Sequence, residues 1–240
     1  MNIIQPVEYI EITTQAVICI IYCIFIDYII SPKLKMTEIK WIFLHIWINL
    51  VVVIFSAYDV FICLTDFDRC FTDKWSTSAP FMMGVTSHLY HLATYKNIKY
   101  GDYVHHVPMA IICPLFAWPY LQNRCVNFAL FALTGLPGGI DYVLLTLAKK
   151  GLIDPMIEKK ANVYIHVWLR NAFLQIAVGM FIVALQTGKA DFKTLIVAIL
   201  TFWNGHYYMH DTLKNYYSKH YIEKPKKVVN DDDFAFSSDN

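Results

Sequence analysis

Hydrophobic positions in this chain fall into long runs of membrane length, separated by short basic or mixed segments. Thr13 to Ile30 is the first, interrupted by Asp27 and closed by Ser31 and Pro32. Trp41 to Leu64 is the second, with His45 near its start and Asp59 near its end. As helices, both are long enough to cross a hydrocarbon layer of roughly 30 Å. Ala79 to Tyr95 is weaker, because Gly84, His88, His91 and Tyr95 recur at helical spacing as a polar stripe. Such a helix has to bury its stripe in protein. Val104 to Leu121 contains Pro108, Pro114 and Pro119 and is expected to kink. Val126 to Leu147 is expected to break at Gly135-Leu136-Pro137-Gly138-Gly139, two residues before Asp141. Tyr164 to Gln186 carries His166 and Arg170 one turn apart on the same face. Thr194 to about Asp211 holds Trp203, Asn204, His206, His210 and Asp211 in its second half.

The pattern predicts an all-α, polytopic membrane bundle of about seven transmembrane helices. Residues 1–12 form an N-terminal segment and residues 13–215 a single transmembrane domain. Residues 216–240, basic at first and then acidic, form a tail expected to be disordered. Composition agrees: 57% of residues are hydrophobic, 16% are charged and mean hydropathy is +0.41, whereas soluble domains are about a quarter charged. A net charge of +1 gives no reason to expect nucleic acid as a partner. The amino terminus does not resemble a cleaved signal peptide, since Glu8 and Glu11 stand where a basic region is expected. Five of the six cysteines lie in or beside apolar runs, only Cys70 lies clearly in a loop, and there is no CxxC, which argues against zinc and disulfide frameworks.

Loop charge predicts the orientation. With seven spans, the side of the amino terminus holds only Arg69, Lys74, Arg124, Lys189 and Lys193; the other side holds fourteen basic residues, and Arg170 inside the sixth span completes the 20. Because cytosolic loops carry the excess of lysine and arginine, the amino terminus is expected outside or in a lumen and the carboxyl terminus in the cytosol. That topology gathers His45, His91, His105, His106, Asp141, His166, Arg170, His206, His210 and Asp211 into the cytosolic leaflet, with His88 near mid-membrane. A polar cavity in that half of the bundle is the expectation.

The stretch HLYHLATYKNIKYGDYVHH, His88 to His106, concentrates the candidate chemistry. Adjacent helical residues point about 100° apart, so at most one of His105 and His106 can face lipid comfortably. Asp102 is placed to cap the helix they open, or to orient one imidazole. The glycines of the Pro137 segment serve close helix packing or line a cavity, and the pattern alone admits either. Arg170 needs a partner, for which Asp141 and a lipid phosphate are both reasonable.

These residues resemble those of TLC-domain membrane proteins, the family of ceramide synthases and TRAM-like proteins: a helix ending near Gly84 to Tyr95, then Asp102 with His105 and His106 opening the next, and a last helix with FWNGHYY before a basic stretch. The resemblance spans about Lys40 to Lys219. It implies acyl transfer within a helical bundle, with acyl-CoA as co-substrate, no bound cofactor or metal, and an endoplasmic reticulum or other internal membrane as location. It nominates His105, His106 and Asp141 as catalytic, and His88, His91, Asp102, Arg170, His206 and His210 as contacts to the lipid. The sequence departs from the synthase pattern, with His88 where an Asp is common and Asp141 alone for several acidic residues. That leaves a lipid-binding or membrane-organising protein as the alternative. A third reading, a di-iron lipid oxygenase, rests on HxxH at His88 and His91, the pair His105 and His106, and HxxxH at His206 and His210.

Overall fold

The computed structural model describes residues 6–96, 100–108, 111 and 122–222, and no strand forms among them. Helix α1 is Pro6–Phe25, α2 is Lys40–Thr65, and α3 is the short Phe67–Thr72. Next come α4, Ala79–Thr94, and α5, Tyr100–Val107. Arg124–Leu130 is α6, Leu136–Lys149 α7, Pro155–Tyr164 α8, Asn171–Gln186 α9 and Thr194–Ile222 α10. Most of the expected fourth span, with Pro114 and Pro119, and the tail beyond residue 222 lie outside the described residues.

Among the described residues, four stretches are long and apolar enough to cross a membrane: Ile10–Lys33, Thr37–Thr65, Arg124–Lys149 and Pro155–Gln186. The expected seven exceeds what these lengths establish. Helix α4 has 16 residues, about 24 Å at 1.5 Å per residue, which is shorter than the hydrocarbon layer. Helix α10 has length enough at 29 residues, but its second half, from Asn204 through Lys219, is too polar to count as a membrane run. Large apolar side chains cover the outside of the long helices, including Ile21 and Ile24 on α1, Ile54, Phe55 and Phe61 on α2, and Ile182 on α9. Hydrocarbon removes the cost of hydrating such a surface, about 25 cal/mol per Å². The chain is an all-helical protein whose exterior fits a multi-pass membrane protein.

The expected break in the fifth span is instead a widened turn. Phe131–Gly135 is π-helical and runs directly into α7, where Pro137 occupies the first turn. Proline has no N–H for the Leu133 carbonyl four residues earlier, and Arg170 Nε donates to that carbonyl instead. The helix therefore stays continuous. Gly135 and Gly138 lie against α2: a methyl group on Gly135 would sit 3.1 Å from Val52, and one on Gly138 2.9 Å from Asn49 Nδ2. Two further π-helical turns, Ile26–Ile30 and Ile165–Arg170, sit inside the other long helices.

Helix α2 is the central strut, packed against α4, α6 and α7, while α1 lies on α4 and α10 lies on α8 and α9. Leu44, Ile48 and Val52 of α2, Phe128 of α6, and Leu174 and Phe181 of α9 are almost wholly buried in the core. Buried carboxylates tie the layers together. Asp27 accepts hydrogen bonds from Tyr90 and Tyr95, both at 2.9 Å, and pairs with Lys40 at 3.5 Å. Toward the other end of α2, Asp59 pairs with Arg124 at 2.6 Å and accepts from Asn127 Nδ2 at 2.7 Å and from the Ser76 amide and hydroxyl. Beside it, Cys63 and Cys70 place their Sγ atoms 2.6 Å apart.

Candidate functional site

The site is a cavity of about 360 Å³ between α2, α4, α5, α7, α8 and α10. Its polar wall is drawn from separate parts of the chain: His45, His88, His106, Asp141, Glu158, Lys159, Asn162, His166 and Arg170. Ile48, Phe81, Val85, Leu130 and Leu133 supply the apolar wall. Polar and apolar surfaces therefore share one space.

Histidines cluster on one side around Trp41. Its ring centroid lies 3.7 Å from that of His45, 3.6 Å from His91 and 6.3 Å from His106. His91 Nδ1 and His106 Nε2 are 2.6 Å apart, so one ring must donate the shared proton and the other accept it. The His88 ring centroid is 4.8 Å from that of His106. The backbone fixes two tautomers here: His45 Nδ1 meets the Trp41 carbonyl at 2.9 Å and His88 Nδ1 the Gly84 carbonyl at 2.5 Å. A carbonyl only accepts, so each ring carries its proton on Nδ1, and in the neutral form its basic lone pair is on Nε2.

Across the cavity, Arg170 is held in the π-helical turn before α9. Its Nε donates to the Leu133 carbonyl at 2.8 Å, its Nη2 to Asn204 Oδ1 at 2.6 Å, and the guanidinium stands 5.0 Å over the Tyr208 ring. Arg170 Nη1, Asp141 Oδ1, Asn162 Oδ1 and His166 Nδ1 are buried without hydrogen-bond partners. All four belong to residues that line the cavity. Buried polar atoms are normally satisfied, so these four atoms on one cavity wall are candidates to meet a polar ligand.

The structure brings His88, His106, Asp141 and Arg170 to the cavity, with His91 buried behind His106. His206 and His210 are not brought there: His206 stacks on Phe202 and bonds that residue's carbonyl, and His210 is exposed. They lie on faces of α10 that turn away, while Tyr208, Asp211, Thr212, Asn215 and Tyr216 of the same helix line the cavity. The side chains of Asp102 and His105 lie outside the described residues, although their backbone is within α5. Among the described residues no group of three His, Cys, Asp or Glu side chains is placed to hold a metal ion.

Sequence reasoning passed over Trp41, Tyr142, Asn162 and Tyr208. Each reads as an interfacial or core residue by position, and only the packing of α2 on α4 and α7 and of α8 on α10 turns it toward the cavity. No family model matches the chain, and no curated protein or solved structure is significantly similar to it.

Proposed function

We propose that this is a multi-pass membrane protein of lipid metabolism that receives an amphiphile in its cavity and transfers an acyl group there from acyl-CoA. One observation carries the reading: the imidazoles of His88 and His106, the carboxylate of Asp141 and the guanidinium of Arg170 face a single cavity that also has an apolar wall. Acylation of an amine or hydroxyl needs a base for the attacking group and a hydrogen-bond donor for the developing oxyanion. The acceptor's N or O attacks the thioester carbonyl, an imidazole removes its proton, the C–S bond breaks, and the proton passes to the departing thiolate. His88, with its tautomer set by Gly84, supplies a basic Nε2, and His106, bonded to His91, supplies the donor.

The likeness to TLC-domain proteins supports the same reading and favours seven spans, an internal membrane such as the endoplasmic reticulum, and a cavity facing the cytosol. A lipid-binding or membrane-organising protein is the competing reading. It is favoured by the packing of His91 and His45 against Trp41, which gives those imidazoles a structural role.

The test compares total lipid profiles of cells expressing the wild type or His88→Ala, His106→Ala at matched levels in the membrane. An acyl-chain or amide-lipid class that rises with the wild type and not with the variant is expected. Identical profiles, with both proteins inserted and monodisperse after extraction, would rule out acyl transfer through this pair.

A further inference from the structure

Arg170 makes direct contact only with neutral groups, and Asp141 reaches it through space rather than as an ion pair. Only 7% of its surface is exposed, and its contacts are a backbone carbonyl, a side-chain amide and a phenol ring, none of which bears a charge. Among the described residues no carboxylate forms an ion pair with it, Asp141 included. A buried cation without a counter-ion is costly, whether in a protein interior or at membrane depth. The neutral contacts fix the plane of the guanidinium, and Nη1, its unpartnered edge, belongs to a residue of the cavity wall.

We infer that the missing counter-ion of Arg170 is the ligand itself, as a phosphate group on the head of the amphiphile. The inference rests on the cavity holding a polar lipid head and does not depend on acyl transfer. His166, one turn before Arg170 and also buried, lines the same wall with an unpartnered Nδ1. Lys159 lines it too, paired with Glu158 at 3.5 Å. A phosphate has several acceptor oxygens and can take N–H donors from Arg170 and His166 together. When ionised, Asp141 can only accept hydrogen bonds and would repel the phosphate at close range. It is therefore assigned to a hydroxyl or ammonium of the same head. A guanidinium edge and a carboxylate oxygen left without hydrogen-bond partners in one cavity suit a head that carries a phosphate beside a donor.

Two chemical sources offer such a phosphate: the head of a phospholipid, or the phosphates of acyl-CoA. A third, free inorganic phosphate, is the control. The experiment uses the full chain in a phosphate-free maltoside detergent and follows thermal unfolding on titration with short-chain phosphatidate, the matching diacylglycerol, acyl-CoA and inorganic phosphate. Phosphatidate is expected to raise the unfolding temperature and diacylglycerol to leave it lower. Arg170→Gln is expected to weaken phosphatidate binding about tenfold or more, the scale of a charged hydrogen bond, with Arg170→Lys between the two. A response only to acyl-CoA assigns the phosphate to the co-substrate, and an equal response to inorganic phosphate assigns it to a free anion. If phosphatidate and diacylglycerol act alike on the wild type, the inference falls while the lipid cavity stands. If no phosphate compound acts, it falls regardless of whether Arg170→Gln folds.

Discussion

A carboxylate sealed inside a helical bundle persists only where other groups replace the water it has lost. Asp59 is fully buried and has four such donors, from Arg124, Asn127 and both the amide and hydroxyl of Ser76. Replacing Asp59 with alanine leaves the Arg124 guanidinium buried without its main partner, and is expected to lower stability by about 3 to 5 kcal/mol. Thermal unfolding in detergent measures this, and a loss under about 1 kcal/mol would contradict it. Asp73 lies in the loop before α4, where the hydrogen bond from Arg69 and then the contact with Arg124 hold its carboxyl below the ordinary range. A lowered value in the folded state means that its stabilisation is full above the ordinary carboxyl pKa of about 4 and is lost as pH falls through the lowered one. Asp73→Asn should remove a small part of the acid sensitivity seen in melting curves from about pH 5 downward. At this scale the sequence shows that Asp59 is expensive but not why it is tolerated. Its partners Arg124 and Asn127 stand 65 and 68 positions away, and no local pattern connects them.

The element that reads most plainly from sequence is the long apolar helix, and the one that reads least plainly is its irregularity. Gly135 to Gly139 has the composition of a break, yet the chain answers with one π-helical turn and uses the glycines to admit α2. The difference lies in the neighbour, because Asn49 and Val52 come from a helix more than eighty residues earlier. Thr134 already donates to Asn49 Oδ1 at 2.6 Å, which anchors the amide that an added methyl at Gly138 would displace. Gly138→Ala is therefore expected to cost about 1 to 3 kcal/mol through overpacking. Because Gly138 lines the cavity, the same variant should bind the lipid probe more weakly, which separates it from Gly135→Ala. At the other end of α2, Cys63 and Cys70 face each other across the start of α3. A two-electron thiol oxidant such as diamide is expected to join these two sulfurs, with loss of both protons, in preference to Cys19 with Cys23. Peptide mapping without reduction identifies the bond. Recovery of Cys19 linked to Cys23 as the main product would overturn the ordering.

At the scale of the whole molecule, the two ends of the bundle differ in kind. His45 and Asp59 lie fourteen residues apart on α2, about 21 Å along the axis. One marks an open polar cavity and the other a closed ion network. The sequence announced the cavity through the gathering of polar residues at one level of the spans, since alternation of helix direction converts position along the chain into depth. It did not announce which of those residues face inward, because His206 and His210 share a depth with Tyr208 and Asp211 but not a face of α10. The cavity end is also the lysine-rich end: Lys150 reaches across to the Lys35 carbonyl at 2.7 Å, and Lys159 lines the cavity itself. The opposite end carries Arg124 and Lys189, which are taken up by Asp59 and Asp68. If the basic loops are retained in the cytosol, as the proposed orientation requires, the cavity mouth opens on the cytosolic side, where the proposed acyl-CoA donor would be met in water. Glycosylation acceptors inserted after Lys74 and after Gly151 are expected to be modified at the first position only. Modification after Gly151 instead would turn the cavity toward the lumen and remove acyl-CoA as the donor.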